Sequence, residues 1–233
     1  MKPSWIEEQK LQETVEYLLE KAKEAEKSAE KEFGKNVIDP FAALFEIFGF
    51  GISYDSWYKN ETIRQAQKTL QNHIGSFHQK ILGSVAGWED LGVGNVVDLV
   101  SDCNKIIAEV KNKYNTVSGG KLADLYNDLH SLVMPNSSKY KGYTAYYVTI
   151  IPKKAERFNR EFMPSNKTTS SKCQKNSNIR EIDGASFYHL VTGKADALEN
   201  LFNYIPEVIE KSNLKMDSCT KAKLRYYFKK AFK

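Results

Sequence analysis

Apolar residues recur at helical spacing through the first third of the chain. Between residues 5 and 33, Leu11, Val15 and Leu18 fall on one helical face among Glu and Lys residues, and Ser4 precedes them as a candidate N-cap. The pattern predicts one long amphipathic helix with a solvated C-terminal end.

Two more helices are predicted before residue 84. Asp39 and Pro40 have the residue types of an N-cap and a first helical position, and they open the apolar run FAALFEIF, which ends at the glycines around Gly49. Asn60 is the predicted cap of a longer helix over residues 61–82, whose apolar stripe repeats at helical spacing.

The pattern then changes to that of β-structure. The stretch VVDLVSDCNKIIAEVKNKYNT, Val96 to Thr116, has two valine- and isoleucine-rich arms around the polar turn SDCNK, which predicts a hairpin. The remaining predicted elements are a helix over 121–134, strands over 142–152 and 179–182, and helices over 195–210 and 218–232.

This order of elements predicts an α/β or α+β fold, with a sheet covered by helices on both faces. We expect a single domain over residues 1–233. Its predicted parts are a helical N-terminal part (1–83), a sheet core with a recognition loop (94–193) and C-terminal helices (194–233).

Composition narrows the location and excludes some chemistry. No apolar run approaches the roughly 18 residues that span a membrane, and the charged N-terminus has no signal-peptide core, so we expect a cytoplasmic protein without a membrane partner. Cys103, Cys173 and Cys219 form no CxxC pair, which favours reduced thiols and argues against a zinc site.

Charge is concentrated in one segment. The whole chain carries +5, whereas residues 139–180 hold ten Lys or Arg against two Glu, a difference of +8. Such a local field favours a polyanion such as nucleic acid. A solvated lysine-rich surface is the alternative.

The hairpin carries the candidate chemistry. A turn centred between Cys103 and Asn104 pairs residues whose numbers sum to 207, so Asp98 stands opposite Glu109, and Lys111 shares their face. Two adjacent carboxylates repel each other, but Mg2+ would draw them together beside a lysine that could act on water or phosphate. The pattern therefore predicts a metal-dependent phosphodiesterase site; the alternative is an ordinary edge hairpin with a solvated Glu/Lys face.

These three residues also carry a family resemblance. Asp98, Glu109 and Lys111 match the PD-(D/E)xK nuclease signature, with valine in place of the usual proline before the aspartate. The stretches KNKYNT (111–116) and REIDGASFYHLVTG (180–193) resemble small type II restriction endonucleases that cut GGNCC or GGWCC sites. The resemblance implies a mixed central sheet flanked by helices and a Mg2+-dependent DNA endonuclease. It also implies a homodimer and a paired DNA methyltransferase.

Such nucleases often take a further metal-binding acid from the helix before the hairpin. Glu61, in the first turn of the predicted helix over 61–82, is the candidate that the resemblance implies. The alternative is a carboxylate that complements the helix dipole.

DNA contacts are expected from basic and polar residues near these elements. The predicted phosphate contacts are Lys113, Asn115, Lys153, Lys154, Arg157 and Arg160. The loop 164–178 is the predicted recognition segment, with Lys167, Lys172 and Lys175, followed by Arg180 as the favoured guanine reader.

A palindromic site favours an isologous dimer, formed through either the charged N-terminal helix or the C-terminal helices. Three alternative functions stay open at this point. The protein could be a repair or junction-resolving nuclease of the same superfamily, a DNA-binding protein without catalysis, or a helical interaction protein whose basic segment is incidental.

Overall fold

The computed structural model describes residues 2–92, 94–166 and 170–232 of the chain. These residues form two compact units. The sheet unit comprises Met1–Thr14 and His78–Lys233, and the helical unit comprises Val15–Phe77.

Helices account for most of the regular structure. Within the described residues the α-helices are α1 Glu8–Lys31, α2 Pro40–Phe50, α3 Tyr54–Gly83, α4 Leu122–Val133, α5 Gly184–Thr192, α6 Ala197–Lys211 and α7 Ser218–Ala231. Short 3-10 helices occupy Phe33–Lys35 and Gly119–Lys121.

A mixed sheet of six strands lies in the sheet unit. The strands are β1 Glu89–Asp90, β2 Leu99–Ser101, β3 Ile106–Lys113, β4 Thr144–Ile151, β5 Asn159–Glu161, β6 Ser165–Asn166, β7 Ser171–Lys172 and β8 Ile179–Asp183. The order across the sheet is β1-β2-β3-β4-β8-β5, and β6 and β7 pair separately. Strands β3, β4 and β8 are parallel, while β1, β2 and β5 run antiparallel to their neighbours.

The helix starts test the capping predictions. Asp39 caps α2 as predicted, because its carboxylate accepts the amides of Phe41 and Ala42 and Pro40 follows it. The Asn60 prediction is wrong, since α3 begins at Tyr54.

Ser53 provides the start of α3 instead. Its hydroxyl accepts the Ser56 amide at 3.2 Å, and its carbonyl accepts the Trp57 amide at 3.0 Å. The first helix also begins later than predicted, at Glu8 rather than directly after Ser4.

Helix α4 covers one face of the sheet, as the crossover between β3 and β4. Tyr126, Leu129 and Val133 of this helix are buried in one apolar cluster with Ile107 of β3 and Tyr147 of β4. Residues of β3 with odd numbers therefore face α4, and Glu109 and Lys111 share this face because side chains alternate along a strand.

Helix α5 covers strands on the opposite face. Phe187 of α5 is fully buried and makes ring contacts with Tyr146 of β4 and with Trp88. Gly184 begins this helix against the Ile150 backbone, where no side chain fits.

The predicted fold class, an α/β protein with a mixed sheet and an N-terminal helical segment, is confirmed. The edge-hairpin alternative is wrong, because β3 lies inside the sheet between β2 and β4. Among the described residues, none of the helices is both long enough and apolar enough to cross a membrane.

Candidate active site

The hairpin of β2 and β3 has the predicted register. Its pairs are Leu99 with Ala108, Val100 with Ile107 and Ser101 with Ile106, so each pair sums to 207. Asp98 lies directly before β2, and its amide donates to the Ala108 carbonyl at 2.9 Å. The ladder thus continues one residue beyond the strand and holds Asp98 beside β3.

The carboxyl groups of Asp98 and Glu109 meet at this point. The Val110 amide donates to Asp98 Oδ2 at 2.7 Å, and the protonated Glu109 carboxyl donates to Asp98. Burial raises the pKa of Asp98. Burial, and then the charge of Asp98, raises the pKa of Glu109 from 4.5 to about 7. The two acids therefore hold a proton between them at mildly acidic pH.

Lys111 supplies a cation next to this pair. Its Nζ forms an ion pair with Glu109 Oε1, and the exposed fractions of the Lys111 and Glu109 side chains are 28% and 13%. Burial opposes the charge of the Lys111 ammonium, but the hydrogen bond to Glu109 and the nearby carboxylates outweigh it, so the pKa of Lys111 is raised. All three predicted catalytic side chains are brought together.

Two neighbours of the site were not found by the sequence reasoning. Gln79, near the end of α3, hydrogen-bonds to Asp98 and favours its charged form. Tyr147 of β4 lies in register with Glu109 and its buried hydroxyl hydrogen-bonds to Thr149. Gln79 lies on the helix in which a further acid was sought, but its helical spacing resembles that of any surface glutamine.

Glu61 occupies the helical unit and is engaged there. Arg64 Nη2 donates to Glu61 Oε1 at 2.6 Å, and Gln65 Nε2 donates to the same atom at 3.0 Å. The hydrogen bond from Arg64 lowers the pKa of the buried Glu61 carboxyl. Because α3 starts at Tyr54, Glu61 lies beyond the first turn, so the dipole alternative is also wrong. A metal-binding role for Glu61 stays a prediction.

The donor chemistry of Asp98 and Glu109 fits a small divalent cation. Mg2+ binds proteins through one or two carboxylates and keeps several waters. In the described part of the chain no group of three or more His, Cys, Asp or Glu residues is placed to hold a metal ion. A two-carboxylate site such as this one suits Mg2+, whereas zinc usually takes three or four protein ligands.

Part of the predicted phosphate-binding set lines a cleft beside the site. The cleft has a volume of about 270 Å³, and Tyr147 and Glu181 belong to its wall. Lys153, Lys154 and Arg160 also line it. Arg160 Nε donates to Glu181 Oε1 at 2.7 Å, so this arginine is already oriented along the cleft wall.

The other predicted DNA contacts are dispersed. Lys113, Asn115 and Lys172 are exposed, and Lys167 lies outside the described residues. Lys175 Nζ is 3.5 Å from Glu161 Oε2. Arg157 Nε donates to the Ser186 hydroxyl at 2.9 Å.

The favoured guanine reader, Arg180, is held within the sheet. Its Nε donates to Asn159 Oδ1 at 2.7 Å, and its Nη2 donates to the Asn159 carbonyl at 2.8 Å. Both contacts would have to be exchanged before this guanidinium could fork onto a base, so base reading by Arg180 stays a prediction.

Comparison with known proteins identifies the family. The family model for the Eco47II restriction endonuclease matches residues 4–213. The chain belongs to the Eco47II restriction endonuclease family. It is 55% identical over 206 residues to the type II restriction enzyme Eco47II of Escherichia coli, covering 88% of this chain and 86% of that protein.

A second relative of this Eco47II-family chain is more distant. The type II restriction enzyme Sau96I of Staphylococcus aureus is 32% identical over 211 residues, which cover 89% of this chain and 79% of that protein. No solved structure matches the chain significantly. The resemblance to small type II restriction endonucleases is confirmed.

Proposed function

We propose that this Eco47II-family protein is a type II restriction endonuclease that hydrolyses DNA with Mg2+ at a short palindromic site of the GGNCC or GGWCC kind. The observation that carries the proposal is the contact between the Asp98 and Glu109 carboxyls beside Lys111, on the α4 face of an interior strand. Family membership supports the reaction class. Restriction endonucleases generally depend on a divalent metal.

Each side chain has a distinct part in the proposed reaction. Asp98 and Glu109 would hold the ion, and the Val110 amide would keep Asp98 oriented toward it. A bound divalent ion supplies charge neutralisation at the phosphate and a more acidic water. Lys111 would stabilise negative charge on the scissile phosphate, where a preorganised cation is most effective.

The basic cleft supports a path for the DNA backbone. Lys153, Lys154 and Arg160 share a wall with Tyr147, which lies in register with Glu109. Phosphate contacts along this wall would position a strand without reading its sequence. The remaining predicted contacts, including Lys113, Asn115 and the loop 164–178, would add binding and base recognition.

The proposal includes the rest of a restriction system. Two antiparallel strands with a palindromic site are cut most simply by a homodimer with one site per subunit. A DNA methyltransferase of the same specificity would protect the host DNA. Since the substrate is DNA inside the cell, the proposed location is the cytoplasm.

A digest of plasmid DNA of known sequence tests the proposal. We expect discrete fragments in Mg2+ and none in EDTA, with fragment ends that map to one short palindrome. Asp98→Ala and Lys111→Ala should lower the cleavage rate at least about a hundredfold while DNA binding persists, since each removes a charge from the reaction centre.

Asp102→Ala is the matched control, because Asp102 lies in the turn of the same hairpin and is exposed. Its cleavage rate should stay close to that of the wild type. A smear or structure-specific nicking would favour a repair or junction-resolving nuclease, and DNA binding without any cleavage would favour a non-catalytic DNA-binding protein.

A further inference from the structure

An apolar stripe lies exposed on α2. Phe41, Leu44, Phe45 and Phe48 recur at spacings of three and four residues, so they share one face of this helix. Their exposed fractions are 72%, 49%, 72% and 77%. We call these four residues the α2 stripe. A soluble protein rarely leaves such a set of large side chains in water without a partner.

The opposite side of α2 is the attached side. Ala43, Glu46 and Ile47 are partly buried, and Glu46 accepts the Trp57 Nε1–H of α3 at 2.8 Å. Glu46 is the only charged residue of the helix. The α2 stripe is therefore free of charge, and it projects away from the contact with α3.

The absence of charge limits the partner. DNA binds through Lys and Arg, and α2 contains neither. Helices that lie on lipid surfaces carry Lys or Arg on their polar face, which α2 also lacks. A second copy of the same stripe is a well-matched partner, because pairing two uncharged apolar faces brings no like charges together.

The size of the stripe matches the apolar part of a standard dimer interface. A phenylalanine buries about 150–250 Å², so the α2 stripe exposes roughly 500 Å² of apolar side chain. A standard interface covers about 800 Å² on each partner, of which homodimers make about 65% apolar, or roughly 520 Å².

We infer that the α2 stripe is the core of a homodimer interface, in which the stripe of one subunit packs against the same stripe of its partner. The centre of the stripe falls between Leu44 and Phe45, so these residues lie nearest the two-fold axis of an isologous contact. The inference adds a surface to the homodimer in the proposed function, and it replaces the N-terminal and C-terminal helices as the candidate interfaces.

Sedimentation equilibrium of the full-length chain without DNA tests the inference. The wild type should sediment at twice the 26.6 kDa chain mass at micromolar concentration. Phe45→Asp should weaken the dimer at least about a hundredfold, because it places an unpaired carboxylate from each subunit in the interface core. Equal amounts of Phe45→Asp and Phe45→Lys, each monomeric alone, should regain the dimer mass when mixed.

Tyr227→Asp on α7 is the matched control, since Tyr227 is an aromatic residue with 66% exposure on a C-terminal helix. It should remain dimeric. A monomeric wild type, or a dimer that survives Phe45→Asp and dissociates with Tyr227→Asp, would overturn the inference. Circular dichroism of each variant verifies that the fold is retained, as expected for substitutions at exposed positions.

DNA cleavage separates this inference from the proposed function. If both hold, Phe45→Asp should convert supercoiled plasmid to linear DNA at least about tenfold more slowly than the wild type, because two catalytic centres no longer act together. A wild-type dimer that cuts no DNA would refute only the proposed function. A monomer that cuts DNA would refute only the α2 interface.

Discussion

At the scale of single residues, the site depends on burial. Glu109 retains its proton to an unusually high pH because its carboxyl is removed from water and faces Asp98. The same groups would gain a divalent ion most readily after losing that proton. Glu61 shows the opposite case, since Arg64 satisfies its charge and lowers its pKa.

The raised pKa of Glu109 predicts a pH-dependent stability of the metal-free protein. The folded state binds this proton more tightly than the unfolded state, so the contribution is complete below pH 4.5 and is lost as the pH rises toward 7. In EDTA, Glu109→Gln should therefore gain free energy of unfolding relative to the wild type across this window, and the difference should be constant above it.

Urea denaturation at a series of pH values measures this difference. A constant offset between the two proteins reports lost contacts of Glu109, whereas a change with pH reports its titration. Glu156→Gln, at an exposed carboxylate, serves as the control. An offset that stays the same at every pH would show that Glu109 titrates normally.

At the scale of elements, close packing sets the position of α5 on the sheet. A Cβ atom added to Gly184 would lie 2.4 Å from the Ile150 carbonyl oxygen and 2.6 Å from its Cα. The first turn of α5 therefore lies directly against the backbone of β4. This same strand carries Tyr147, the neighbour of Glu109.

Gly184→Ala should lower the free energy of unfolding by about 1–3 kcal/mol, because overpacking forces the helix and strand apart. Gly75→Ala is the matched control within α3, where an added Cβ meets nothing within 4 Å. That change should raise stability by about 0.5–1 kcal/mol, since alanine loses less backbone entropy in a helix. Urea denaturation of both variants decides the matter, and an equal effect of the two substitutions would contradict the packing argument.

At the scale of the whole molecule, charge is placed for a polyanion. The net charge of +5 arises from one segment, and three of its residues line the cleft beside the site. Phosphate contacts release counterions, so DNA affinity should fall steeply as the salt concentration rises. The surface near the candidate site thereby attracts DNA before any base is read.

Lys153→Ala and Lys154→Ala should each reduce the slope of log K against log salt concentration by about one, which is the effect of removing one phosphate contact. DNA binding measured without a divalent ion avoids cleavage. Lys27→Ala, at an exposed lysine of α1, should leave the slope unchanged. If Lys27→Ala alters the slope as much as the cleft variants do, the affinity comes from net charge rather than from the cleft.

The sequence by itself determined the features that depend on short-range periodicity and turn length. These include the Asp39 cap, the hairpin register, the main strands and the shared face of Glu109 and Lys111. Asp98 and Glu109 could be paired in advance because a short turn leaves few registers open, and one residue of slip would reverse every side chain.

Only the tertiary structure decided which groups from distant parts of the chain meet. It placed β3 inside the sheet, Gln79 against Asp98 and Arg180 against Asn159, and it left the α2 stripe in water. The two- and three-residue strands β1 and β5 exist only through their partners in the sheet. A local pattern specifies how a segment folds, but burial and long-range pairing depend on what the rest of the chain packs against it.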